Sequence, residues 1–137
     1  MNIYNLKTNY LMNPIGFLMD TVALSWIIEA PFEEELQGTR VLIALDENFE
    51  EVIHDSGMQA DLDPLCYQPE IKLQPRMRYF WKVIAKNADG DESYSEIQFF
   101  ETGKEEEHWT GNWIEPARQL QRMPLVRKLF RLPAKPI

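Results

Sequence analysis

The chain has 137 residues, of which 45% are hydrophobic and 26% charged, a globular composition of a length for one ordinary domain and some extra. Its net charge of −8 argues against phosphate-backbone binding, so no nucleic-acid partner is expected. No run approaches the ~20 apolar residues of a membrane-spanning helix, so no membrane partner is expected either.

No basic start followed by an apolar run opens the chain, so no signal peptide is read from it. The single cysteine, Cys66, cannot form an internal disulfide. Both features lead to the expectation of a reducing, cytoplasmic location.

Apolar residues recur with period two along most of the chain. Val22, Leu24, Trp26 and Ile28 alternate with Ala23, Ser25, Ile27 and Glu29, which predicts a half-buried strand. The stretch Asp46 to Val52 is too short for a helix and reads as a loop or single turn. Before it, Val41, Ile43 and Leu45 alternate with Leu42, Ala44 and Asp46. Further on, Tyr79, Trp81, Val83 and Ala85 alternate with Phe80, Lys82, Ile84 and Lys86. Turn signals separate the runs: Pro31 with Glu33 to Glu35, Asp55-Ser56-Gly57, Asp63-Pro64 and Asn87-Ala88-Asp89-Gly90. Short strands at this spacing predict an all-β fold, an antiparallel β-sandwich.

Charge divides the chain. Residues 1–116 carry 22 acidic and 8 basic side chains, whereas residues 117–137 carry six basic side chains and no acid. Between them lie Thr102-Gly103-Lys104 and the acidic run Glu105 to Glu107. The expected division is a sandwich over 1–103 and a C-terminal extension over 104–137.

The residues Leu73-x-Pro75-x-x-x-Tyr79-x-Trp81-x-Val83-x-Ala85-x-Asn87-x-x-Gly90 resemble the E–F corner and F strand of a fibronectin type III (immunoglobulin-like) domain. Leu24-Ser25-Trp26 resembles its B strand. Pro75 fixes a turn, Tyr79 bonds back to nearby backbone as a tyrosine corner, and Asp89-Gly90 supplies the positive φ of a tight hairpin. Met77 stands where the family often has Thr.

A narrower resemblance runs further. Asn13-Pro14-Ile15-Gly16, Leu24-Ser25-Trp26, Asp55-Ser56-Gly57, Arg76-x-Arg78-Tyr79-Phe80-Trp81-Lys82-Val83 and Phe100-Glu101-Thr102-Gly103 occur in this order. Trp109-x-Gly111-x-Trp113-Ile114 follows. The set resembles the N-terminal module of bacterial α-L-rhamnosidases of glycoside hydrolase family 78. It departs at Arg40, where an aromatic is usual nearby, and at Tyr94, where a tryptophan is common. The resemblance implies that 104–137 is a linker with the first strand or strands of a following sandwich, whose opening resembles Pro124 to Phe130. It also implies a longer parent chain that inverts terminal α-L-rhamnosides, with its acid and base ~6.5–9.5 Å apart on a distant barrel. No catalytic residue is therefore carried onto this chain.

The residues themselves agree with that expectation. The acids cluster in turns and runs, as solvated loops do. Glu106, Glu107 and His108 form no recurring ligand spacing with His54 or Cys66, so neither a metal nor another cofactor is expected. Cys66 lacks a neighbouring base in sequence and reads as an inert thiol. Three function classes follow: a scaffold module of a rhamnosidase, a carbohydrate-binding module, or a fibronectin-type interaction domain of an unrelated protein.

Alternation also predicts a docking surface. With Tyr79, Trp81 and Val83 inward, Phe80 and Ile84 point outward, and Leu42 does so on the neighbouring strand. Phe100 is placed there too, with Phe99 competing for the inward position. This face is expected to meet Trp109 and Trp113, downstream domains of the parent chain, or a second copy in a homodimer.

Overall fold

The computed structural model describes residues 1–104, 106–108, 110–112, 114, 127–129 and 131. Two compact units divide the chain, residues 1–107 and 108–137. In the first, eight strands are formed: β1 (Asn2–Thr8), β2 (Ile15–Phe17), β3 (Leu24–Glu29), β4 (Leu36–Ala44), β5 (Val52–Asp55), β6 (Arg78–Asn87), β7 (Glu92–Tyr94) and β8 (Gln98–Thr102). In the second, Ile114 and Leu129 are exposed. Among the described residues, no helix is long and apolar enough to cross a membrane.

The strands form an all-β sandwich. Antiparallel β1 and β3 make one sheet, widened at Leu24 by a bridge to Tyr67 whose two backbone bonds measure 2.8 and 2.9 Å. The second sheet runs β2-β8-β6-β4-β5, with β7 beside β6 beyond the end of β8. One pair breaks the expected antiparallel pattern: β2 lies parallel to β8. The long sequence separation of these two strands supplies the crossover that parallel pairing needs.

Period-two burial carries the core. Leu6, Leu24 and Trp26 from the first sheet meet Val41, Ile43, Tyr79, Trp81, Val83 and Phe100 from the second. Trp26 and Trp81 are both buried, as alternation predicts. The loop between β4 and β5 is organised by Asp46, whose carboxylate accepts backbone N–H bonds from Asn48, Glu50 and Glu51 at 2.8, 3.2 and 2.7 Å. Those bonds, that of Glu51 foremost, hold its carboxyl below the ordinary range.

The tyrosine corner forms as read. The Tyr79 hydroxyl accepts a bond from the Gln74 backbone N–H at 2.8 Å. Thr102 at the end of β8 closes the same turn. Its hydroxyl donates to the Gln74 carbonyl at 2.5 Å and accepts from the Met77 N–H at 3.0 Å. Arg76, at φ 55°, donates its backbone N–H to the Gly103 carbonyl at 2.9 Å. The corner therefore fixes where the chain leaves the second sheet.

Candidate interaction surfaces

The outer face of the second sheet carries much of the predicted docking set. Phe100 does not belong to it: its side chain is fully buried and stacked on Tyr79, with ring centroids 5.1 Å apart and planes at 20°. The two residues are directly paired across β6 and β8, so the inward phase of Tyr79 dictates that of Phe100. Phe99 takes the outward position instead. Trp109 and Trp113 lie outside the described residues.

The remaining apolar groups of this face are half-buried or buried within the same unit. Lys82 sets its ammonium 4.1 Å from the Phe49 ring centroid, and Arg78 its guanidinium 4.7 Å from that of Phe99. Phe80 leans on Phe99 at 6.4 Å and is half-buried, as is Leu42. Ile84 points away from the core cluster, yet only 5% of it is exposed. Arg40 on β4 and Tyr94 on β7 are paired directly across from it, close enough for side chains to cover one another. Arg40 is held in place by a two-pronged pair to Asp55 at 2.7 and 2.5 Å. Long cationic side chains thus lay their stems and heads over apolar groups.

A different segment is open. Residues 8–19 form a twelve-residue run without a charge, and they link β1 to β3 through β2. Tyr10 is 73% exposed, Met12 69%, Leu18 67%, Ile15 55% and Phe17 50%. The backbone beneath them is firmly tied. Thr8 and Leu11 exchange backbone bonds at 2.9 and 3.0 Å. Asn9 accepts from the Ala23 N–H at 2.8 Å and donates to the Thr21 carbonyl at 3.0 Å. Asn13 accepts from the Phe99 N–H at 3.0 Å. Pro14 and Phe17 carbonyls accept from Glu101 and Gly103, each at 2.8 Å. Asn9, Tyr10 and Asn13 hold φ of 48°, 65° and 45°, a conformation that costs an L-residue stability and persists only where its surroundings enforce it. The result is a preformed apolar ridge along the edge of the second sheet.

Beside the ridge runs an open groove of about 890 Å³ between residues 18–22 and 68–73. Met19 and Val22 line it as buried side chains, while Asp20, Glu70 and Lys72 bring charge to it. Aromatic side chains, the usual sugar platforms, are not among its described lining residues.

Beyond these surfaces, titratable groups are engaged in holding the fold. His54 Nε2 lies 2.8 Å from the Tyr67 hydroxyl, and burial pushes its imidazolium pKa down from 6.5. The Arg40 guanidinium holds the Asp55 carboxyl down to about 2. Since the unfolded chain binds a proton at His54 more readily than the folded one, stability is intact above pH ~6.5 and falls as the pH drops through that value. Asp55 adds its own loss only in strong acid, between its ordinary 3.8 and about 2. Denaturant midpoints should therefore decline from pH 7.5 to 5.5, and His54→Gln should flatten that decline. A midpoint that rises on acidification would contradict the assignment. Cys66 is a half-buried free thiol, 3.8 Å from the Gln68 amide nitrogen. Among the described residues, no group of three His, Cys, Asp or Glu is placed to hold a metal ion.

The eight strands, the Tyr79 corner and the Trp26–Trp81 core define an immunoglobulin-like β-sandwich. A family model described as the Rha78A-like, N-terminal immunoglobulin domain matches residues 3–106, and the chain belongs to that family. It is similar to the Streptomyces avermitilis α-L-rhamnosidase solved in complex with L-rhamnose, at 26% identity and a TM-score of 0.64. That likeness covers 74% of this chain and 10% of the rhamnosidase. The α-L-rhamnosidase from Dictyoglumus thermophilum shares the fold at 22% identity and a TM-score of 0.63, over 76% of this chain and 12% of that one. This chain thus spans about a tenth of the enzymes it resembles. Comparison with curated proteins gives no match.

Proposed function

We propose that the chain is the non-catalytic N-terminal module of an α-L-rhamnosidase-like glycoside hydrolase, and that it works as a scaffold for the domains that follow. The observation that carries this reading is the family match over residues 3–106. The similarity to an α-L-rhamnosidase in which the matched part is only 10% of the chain supports it. The engaged carboxylates support the non-catalytic half. Asp46 holds a loop, Asp55 and Glu101 hold Arg40 and Arg78, and Glu107 pairs with Arg76. A carbohydrate-binding role has less support, because the described residues lining the groove beside β2 include polar groups but no aromatic platform. The half-buried free Cys66 is compatible with a cytoplasmic setting, which we include in the proposal.

The test of the non-catalytic reading is direct. The isolated chain should release no aryl group from an aryl α-L-rhamnoside above the buffer rate. Turnover that survives repurification and disappears when one local carboxylate is replaced would overturn it.

A further inference from the structure

We propose that the apolar ridge of residues 10–18, rather than the outer face of the second sheet, is where this module docks. Its occupant is an uncharged, apolar face of the domains that follow in the rhamnosidase-like chain. The inference rests on the functional reading above.

Three observations carry it. First, Tyr10, Met12, Phe17 and Leu18 are each at least half exposed on a segment that holds no charge, in a unit where acids far outnumber bases. Several exposed large apolar groups on one short uncharged segment mark an interaction site, and a partner here needs no compensating charge. Second, the ridge is preorganised. Asn9 and Asn13 pin its backbone with side-chain bonds, and Tyr10 holds φ of 65°. Ordering such a segment costs little on binding because it is already ordered. Third, the chain leaves the sheet at the ridge itself. Thr102 is paired with Phe17, and the Gly103 N–H donates to the Phe17 carbonyl at 2.8 Å. Gly103 packs so closely that an added Cβ would lie 2.7 Å from the Gly16 carbonyl oxygen. A domain tethered through that exit is held beside the ridge at high effective concentration, so even modest apolar contact suffices to dock it. The outer sheet face lacks this combination, since Leu42, Phe80 and Phe99 there are half-buried and Ile84 is 5% exposed.

Radical footprinting with mass spectrometry tests the assignment. The 137-residue chain and the complete rhamnosidase-like polypeptide are labelled in parallel, reading Tyr10, Met12 and Phe17 against Phe32 and Tyr94, which are also exposed. Labelling of the ridge should fall about five-fold or more in the complete polypeptide, while Phe32 keeps its rate. Equal ridge labelling in the two proteins overturns the proposal. So does protection already present in the 137-residue chain that is lost on dilution, which would make a second copy the occupant. A complete polypeptide that protects the ridge yet hydrolyses no rhamnoside discards the rhamnosidase reading and leaves the docking surface standing.

Discussion

Phe100→Ala is expected to lower the free energy of unfolding by about 3–5 kcal/mol, whereas Phe99→Ala should cost about 1 kcal/mol or less. The two residues are neighbours in sequence and identical in chemistry, so the contrast isolates the direction in which each points. Phe100 is fully buried and stacked on Tyr79. Its removal leaves a cavity between the sheets that close-packed surroundings fill only in part. Phe99 stands on the outer face, where it loses the Arg78 guanidinium at 4.7 Å and the tilted Phe80 ring at 6.4 Å. Both contacts are weak near solvent. Denaturant unfolding at a common slope measures the difference. Because the larger loss is a sizeable share of the roughly 5–15 kcal/mol that holds a domain together, Phe100→Leu serves as a milder companion, its expected cost falling between those of the two alanine variants because it leaves a smaller cavity. Equal losses for the two alanine variants, or a larger loss at Phe99, would reverse the assignment of faces.

That pair also shows where sequence reasoning reaches its limit. Along β6, Lys82 and Lys86 mark the outward phase, and period two then places Tyr79, Trp81 and Val83 inward despite the apolar Phe80 between the first two. Phe99-Phe100 offers alternation no such contrast, and only the cross-strand pairing of Tyr79 with Phe100 resolves the phase. Ile84 shows a related limit. Its outward direction follows from period two, but its cover depends on Arg40 and Tyr94, residues 44 and 10 positions away that only strand pairing brings alongside. Outward does not mean exposed when both flanking strands carry long side chains.

The edge of the sheet was less legible still. β2 is three residues long and all exposed, too short to display a period, preceded by Asn13-Pro14 and with a glycine at its centre. Its parallel pairing with β8 is a long-range choice that local sequence does not encode. A signal was nonetheless present. Twelve consecutive uncharged residues from Thr8 to Met19 stand out in a chain where charged residues are 26% of the total. The family motif Asn13-Pro14-Ile15-Gly16 falls inside that run. Asn13 earns its place through the bond to the Phe99 N–H, and Gly16 through φ of 75° and the close approach of Gly103. Asn13 and Gly16 hold the ridge in shape, while Ile15 between them and Met12, Phe17 and Leu18 on either side are exposed.

Tyr79→Phe should cost about 1–3 kcal/mol, although the ring and its stacking on Phe100 are kept. The hydroxyl is the acceptor for the Gln74 backbone N–H at 2.8 Å, in a corner where Tyr79 is 1% exposed. Removing it leaves a partly buried donor without its acceptor, and the expense of that orphan exceeds the net worth of an average hydrogen bond. The loss should spread along the corner, because Thr102 holds the Gln74 carbonyl and the Met77 N–H of the same turn, and Gly103 accepts from Arg76. Backbone amides of residues 74–77 should accordingly exchange with solvent faster in the variant, while those in the middle of β4 and β6 follow global stability alone. An unfolding midpoint unchanged at unchanged slope would show that the hydroxyl bond contributes nothing, and the corner assignment would fall with it. A midpoint that drops without local acceleration at 74–77 would place the cost in the core packing of the ring instead. A midpoint that drops together with faster exchange at 74–77 would read the coupling between the corner and the exit at Gly103, since the same turn that Tyr79 ties down fixes the point where the chain departs beside the ridge.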